Sequence, residues 1–290
     1  MDYLTRNVDI RLDPSRLLPG AQSIIVVAWL YRVRETPDGQ PVGLIHPLAK
    51  APAEPSGRIA RYAWGRDYHR VIRNRLQRLL DAFRLATREP FESRICVDTA
   101  PLLERELAQR AGIGWIGNNC LVLSRALGSY FCLGAVLTTV PLATDSPALD
   151  YCGTCDRCIK ACPTGALTAR KQMDPRRCIS YQTIERRTDF PPSEPPELAA
   201  QVYGCDICQQ ACPYNGPRAA VSIDPDAQPR WPAGRIDLQE VLSWQPADWD
   251  AATQGRTLRR ATLEMWHRNA RLLLQRSGTE HAPPLGHSTP

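Results

Sequence analysis

Apolar and polar positions along the chain alternate between two regimes. "SIIVVAWL" (23–30) is a continuous apolar run after "LLPGAQ" and predicts a buried strand. Residues 46–57, "HPLAKAPAEPSG", are rich in proline and alanine and predict a loop. In the segment that follows, Tyr68, Ile72, Leu76, Leu79, Leu80 and Phe83 recur at helical spacing. "RICVDT" predicts a strand. "PLLERELAQRAG" predicts a helix begun by Pro101 in its first turn and stopped by Gly112. "GSYFCLGAVLTTV" predicts a further strand, and this alternation points to an α/β layer in the first half of the chain. Late in the chain "DLQEVLSW" and "TLRRATLEMWHRNARLLLQRS" predict helices. "FPPSEPPE" (190–197) is expected to be a stiff surface link, and "GTEHAPPLGHSTP" a disordered tail.

With 290 residues, 43% of them hydrophobic, the chain can bury a sizeable core. The charged N-terminus "MDYLTRNVDIRLDPSRL" has no apolar signal segment, and the longest apolar runs fall short of a bilayer span. A cytoplasmic location with no membrane association is therefore expected. Eleven cysteines in such a chain point to metal ligation or redox chemistry, because cytosolic thiols stay reduced.

Four of them form "YCGTCDRCIKACP". Cys152, Cys155, Cys158 and Cys162 follow the C-x2-C-x2-C-x3-C-P pattern of bacterial ferredoxins, in which the fourth cysteine ligates the other cluster of a pair. A second run, "GCDICQQACPYN", supplies Cys205, Cys208 and Cys212 but has Val202 where its leading cysteine would stand. Cys178, in "RRCISYQTIE", can replace that ligand. Two 4Fe–4S clusters are then predicted. The first is held by Cys152, Cys155, Cys158 and Cys212, the second by Cys205, Cys208, Cys178 and Cys162. Structural zinc also takes four cysteines, but the two C-x3-C-P endings argue against it. Cys96, Cys120 and Cys132 sit in apolar stretches and read as buried, inert thiols.

The cluster region spans about residues 150–217, so a ferredoxin alone would leave the preceding half of the chain without a role. Between Arg58 and Arg88 nine arginines face two acids, Asp67 and Asp81. They form either a solvated helix face or a surface for a nucleic-acid backbone, and a local net charge of +7 favours the second. Asp98 stands at the C-terminal end of a predicted strand, where ligands collect in open α/β sheets, although it or Thr99 could simply cap the next helix.

Five segments in this order, "ARYAWGRDYHRVIRNRL", "VDTAPLLERELAQRAGIGWIGNN", "CGTCDRCIKACPTGAL", "RRCISYQTIE" and "YGCDICQQACPYN", resemble epoxyqueuosine reductase, and the resemblance runs from residue 1 to about 275. It implies a cobalamin-dependent oxidoreductase with two 4Fe–4S clusters, related in fold to reductive dehalogenases. Such an enzyme reduces epoxyqueuosine to queuosine at the wobble position of tRNA, fed by an external electron donor. The implied fold is α+β. Residues 1–145 would be an α/β cobalamin-binding catalytic domain, 146–220 a ferredoxin-type double-cluster module, 221–276 a short helical segment and 277–290 the tail. A monomer is expected.

Carried over residue by residue, the proton donor is Asp98. Corrin contacts match Asp98, Arg61, Val122, Leu133 and Ser180, and the eight cluster cysteines match those derived above. Burial against the corrin would keep Asp98 protonated near neutral pH. No D-x-H-x-x-G segment supplies a lower-ligand histidine, which fits base-off cobalamin. His69 of "RDYH" is expected to serve the fold or face tRNA. Two departures stand out. Family members usually begin well before the segment matching Met1, with a further helix and strand, so a truncated domain or a late start is expected. Asn118 stands where the family often has lysine, which would weaken a contact to cofactor or substrate. Of the C-terminal helical repeats of many members, only the first, "MWHRNARLLLQ", is expected. Two other classes fit parts of the pattern: an electron-transfer protein without its own substrate, and a reductive dehalogenase-like enzyme acting on a small molecule.

Overall fold

The apolar run 23–30 forms strand β1 (Ser23–Leu30) in the computed structural model, which describes residues 6–35, 54–87, 89–229 and 234–279. Residues 46–53 of the loop predicted over 46–57, Arg88 and the tail from 280 lie outside the described residues, and the last two residues of that loop, Ser56 and Gly57, instead begin a strand. Four further elements follow β1 along the chain: β2 (Ser56–Ile59), α1 (Tyr68–Ala86), β3 (Ser93–Cys96) and α2 (Glu104–Arg110). They are followed by β4 (Phe131–Thr138). β4 runs down the middle of a three-stranded sheet, antiparallel to β1 on one side (Ser23 opposite Thr138, Leu30 opposite Phe131) and to β3 on the other (Cys96 opposite Ala135). The described sheet is thus antiparallel, and the crevice rule for parallel sheets does not explain where Asp98 lies.

α1 covers one face of this sheet. Its buried Val71, Ile72, Leu76 and Leu80 pack with Trp29, Tyr31 and Val136. The predicted stripe is right except at Leu79, which is 46% exposed. Gly134 lets α1 approach β4, since a Cβ there would lie 2.4 Å from Cγ2 of Ile72. α2 begins at Glu104, later than Pro101 predicted. Glu104 and Glu106 occupy its first turn, and the Glu104 carboxylate accepts the Asp98 N–H at 2.8 Å. Gly112, at φ +71°, follows its end as expected.

A second sheet ties the chain together. β5 (Gln201–Tyr203) pairs parallel to β2, and β6 (Arg235–Asp237) pairs antiparallel to it. One strand therefore comes from each of the three spans expected from sequence. The same core unites Ile59 and Trp64 with Leu198, Val202 and Tyr203, and with Leu258, Met265 and Trp266. The last helix, α3 (Leu263–Thr279), clamps this core with two buried polar residues. Asn269 donates to the carbonyls of Thr183 and Val202, each at 3.0 Å. Arg268 donates to those of Gln182, Arg186 and Thr188, its guanidinium 4.1 Å from the Phe190 ring centre. The proline-rich link is largely exposed, as expected, apart from this use of Phe190. Among the described residues no helix is long and apolar enough to cross a membrane.

Candidate functional site

The cysteine runs fold into short helical turns, Arg157–Ala161 and Ile207–Gln210, each entered from a C-x2-C loop. Between and beside them lie two cavities. One, of about 280 Å³, is lined by Cys152, Cys155, Cys158 and Cys212. The other, of about 360 Å³, is lined by Cys162, Cys178, Cys205 and Cys208. These are the two crossed sets of four expected from spacing. The four thiols of each set thus surround one open volume. Trp115 Nε1 donates to the Cys152 sulfur at 3.3 Å, the kind of hydrogen bond that tunes a cluster. Cys96 and Cys120 are buried and Cys132 partly so, and burial pushes all three thiols up, as inert cysteines require.

A larger cavity, of about 880 Å³, opens beside the second set. The two share Tyr62, Met173, Cys178 and Ser180 as a common wall. Asp98 stands on the far side, just past β3, with its backbone in the left-handed region at φ +55°. Its side chain is 56% exposed, so the polypeptide alone does not provide the burial expected around it. Its Oδ2 lies 3.1 Å from His69 Nε2, and His69 Nδ1 lies 2.7 Å from Asp67 Oδ1. One imidazole thus bridges two carboxylates, with the Tyr68 ring stacked on it at 4.1 Å. Burial lowers the affinity of His69 for its proton, but Asp67 and Asp98 outweigh it and bring the ring up to about 9. Burial also pushes Glu104 up to about 7, against the pull of the Asp98 N–H it accepts.

Of the residues matched to corrin contacts, Asp98 and Ser180 line this cavity. Arg61, Val122 and Leu133 do not. Arg61 is largely covered and ion-paired with Glu35 and with Asp206, the latter at 3.2 Å, and its guanidinium lies against the Trp64 and Tyr130 rings. Asp206 sits between Cys205 and Cys208, so Arg61 braces the loop of the second cysteine set. Val122 is packed with Ala108 and Phe131, and Leu133 lies against them. Asn118, the lysine position of the family, donates to the Cys155 carbonyl at 2.7 Å and lies by the first cysteine set, away from the large cavity.

The basic segment divides. Arg66 and Arg75 are tied to Asp226 and Asp224, Arg84 to Asp81, and Arg61 is internal. Arg73 and Arg78 make no ion pair among the described residues. Arg73 borders the large cavity, whereas Arg78 faces another groove with Arg66 and Arg70. Sequence reasoning missed Asp67 and Glu104 and undervalued His69. The D-x-H spacing of "RDYH" was the available signal.

Relatives decide the family. A family model described as epoxyqueuosine reductase QueG, DUF1730, matches residues 11–99, and one described as a 4Fe-4S double cluster binding domain matches residues 151–215. The epoxyqueuosine reductase of Synechococcus sp. RCC307 is 42% identical over 263 residues, covering 89% of this chain and 76% of that protein. The chain belongs to the epoxyqueuosine reductases. The Escherichia coli K12 member is 37% identical over 275 residues, covering 94% of this chain and 69% of that protein. A crystal structure of an epoxyqueuosine reductase with an epoxyqueuosine-modified tRNA-Tyr stem loop superposes with a TM-score of 0.81 at 31% identity, covering 93% of this chain and 68% of that one. The Bacillus subtilis enzyme, described with its aspartate catalytic loop swung out of the active site, superposes at 0.80 and 29%, covering 97% of this chain and 74% of that one.

Proposed function

We propose that this epoxyqueuosine reductase reduces the epoxide of epoxyqueuosine at the tRNA wobble position to the alkene of queuosine, with electrons travelling from the first cysteine set through the second to the large cavity. The observation that carries this reading is the series itself: two four-cysteine cavities in a row, the second sharing a wall with the one cavity that also holds Asp98. An electron carrier without a substrate has no use for that cavity.

Epoxide to alkene consumes two electrons and two protons and releases water. Cobalamin, when bound, would supply the low-potential chemistry at the epoxide carbon. The cavity fits it in size. At about 880 Å³ it lies at the upper end of the range for small-molecule sites. Both ring nitrogens of its one lining histidine, His69, are engaged by carboxylates, so that ring would be held for proton handling beside the bound group. Ser180 and Asp98 would face the bound group.

Asp98 delivers a proton to the departing oxygen. Its half-exposed carboxyl is desolvated only when cofactor and nucleoside fill the cavity. His69, protonated at neutral pH, stands ready to refill it, and Asp67 keeps the ring oriented. Glu104 fixes the backbone of Asp98. Arg73, at the cavity rim, holds a tRNA phosphate, and the splayed wobble base enters as single-stranded RNA does elsewhere. The test is single-turnover conversion of an epoxyqueuosine stem loop by the anaerobic, cobalamin-loaded protein. Asp98→Asn is expected to bind the stem loop normally and lose on the order of 10²–10⁴ in rate. An Asp98→Asn protein that turns over like the parent refutes the proton-donor role.

A further inference from the structure

The first cysteine cavity is the end of the series that faces away from the chemistry: it and the large cavity share no lining residue. The loop from Tyr151 to Cys155 forms part of its wall. Gly153, at φ +52°, has open space where a Cβ would be, and Thr154 is exposed. Tyr151 stands at the edge of this loop with 43% of its surface exposed, beside Leu149 at 70%. Electron transfer weakens steeply with distance, so a donor must approach here.

The charges at this edge are one-sided. The Arg125 guanidinium lies 5.0 Å from the Tyr151 ring centre, Arg157 lines the cavity mouth, and Arg170 donates to the Thr154 carbonyl at 2.8 Å. None of the three makes a direct ion pair among the described residues, although Asp156 attracts Arg170 at longer range. Lys160 pairs with Asp156 and Lys171 with Asp150. Five cations against two carboxylates leave a net +3 around an exposed aromatic platform. An aromatic anchor ringed by cations suits a protein partner of opposite charge, since rim charges set the encounter rate and an aromatic centre holds the complex.

We infer that this face docks an acidic one-electron carrier protein, which reduces the first cluster across the Cys152–Cys155 loop. The inference rests on the proposed function, in that the cysteine cavities hold clusters. Each docking event oxidises the carrier by one electron and reduces the cluster by one. Two events supply the pair that opening the epoxide consumes.

The test uses the anaerobic two-cluster protein and its Arg125→Glu/Lys160→Glu variant, neither residue being a wall of either cluster cavity. Flavodoxin hydroquinone, an acidic carrier, and reduced methyl viologen, a small cation, are each mixed with both proteins, and bleaching of the clusters is followed in stopped flow. With flavodoxin the variant is expected to be slower by roughly 10–100-fold at low ionic strength, the gap shrinking as salt screens the charges. With viologen the two should be equal, as should iron content and affinity for a tRNA stem loop. Equal flavodoxin rates at low salt would overturn the inference, as would equal slowing with viologen, which would locate the effect in the cluster. A loss of stem-loop affinity larger than the loss of flavodoxin rate would make this an RNA face and overturn it too. A parent protein that holds no iron refutes the cluster reading itself, a failure distinct from any defect confined to flavodoxin.

Discussion

His69→Gln should weaken the fold at pH 6 and leave it nearly unchanged above pH 9. The imidazole sits 2.7 Å from Asp67 and 3.1 Å from Asp98, and these carboxylates overcome its burial to bring it from 6.5 up to about 9. At about 1.4 kcal/mol per tenfold, that rise favours the protonated folded state by at most ~3 kcal/mol. A third of the side chain is in solvent, and the same contacts also lower Asp67, so they count once. Screening leaves ~1–2 kcal/mol. Because the folded value lies above the unfolded one, this stabilisation is complete below about 6.5 and is lost as the pH rises through about 9. For a chain of this size each kcal/mol moves the melting temperature by roughly 2–4 °C. The parent should therefore melt about 2–8 °C above His69→Gln at pH 6 under anaerobic conditions, with the gap closing by pH 9.5. The ring should also titrate near 9 by NMR, and Asp67→Asn should lower that value. A ring that titrates near 6.5, or a melting gap independent of pH, refutes the bridge as a proton reservoir.

Further outcomes follow from the same geometry. The purified protein should hold close to eight iron atoms, and Cys178→Ala should lose the second cluster while keeping the first; unchanged iron and an unchanged reduced spectrum would show that Cys178 is not a ligand. Arg73→Gln should lower tRNA stem-loop affinity and flatten its salt dependence by about one contact, with Arg78→Gln, on another face, doing less; equal effects in a filter-binding salt series would contradict the assignment of Arg73 to the cavity rim. Asn269→Ala leaves the Thr183 and Val202 carbonyls without their donor in a fully buried site and should cost about 2–4 kcal/mol in chemical unfolding, against less than 1 kcal/mol for an exposed control on the same helix.

The cluster cysteines were legible because ligand spacing is local and the chemistry demands it. Counting offered Cys178 for the ligand missing at Val202, and the chain brings Cys178 to the same cavity as Cys162, Cys205 and Cys208. β1 and α1 were legible because each carries its own apolar pattern. What escaped was long-range. The acids that neutralise Arg66 and Arg75 come from residues 224 and 226, so a local charge count overstated the free positive face. Arg61 matched a motif but is held inside by Glu35 and Asp206, a pairing no window reveals. The helix after Asp98 starts late because the Glu104 carboxylate turns back to that residue's N–H, where helix propensity favoured Pro101. Asp67, His69 and Asp98 meet only because α1 crosses the end of β3.

The small sheet of β2, β5 and β6 bears on how the protein is made. Ser56 finds its partner only when Asp237 has been synthesised, and Arg58 waits for Gln201. One edge of β2 stays open on the nascent chain until Gln201 has been made, and the other until Asp237 has. Pairings this distant in sequence close slowly. The first cysteine run emerges well before its crossed partner Cys212, so the second set of four is not complete until Cys208 is out, nor the first until Cys212 is. Iron loading and closure of the sheet therefore wait on the same stretch of chain, residues 201–237, and the cell must keep an unfinished, thiol-rich chain reduced and apart from its neighbours until both are done.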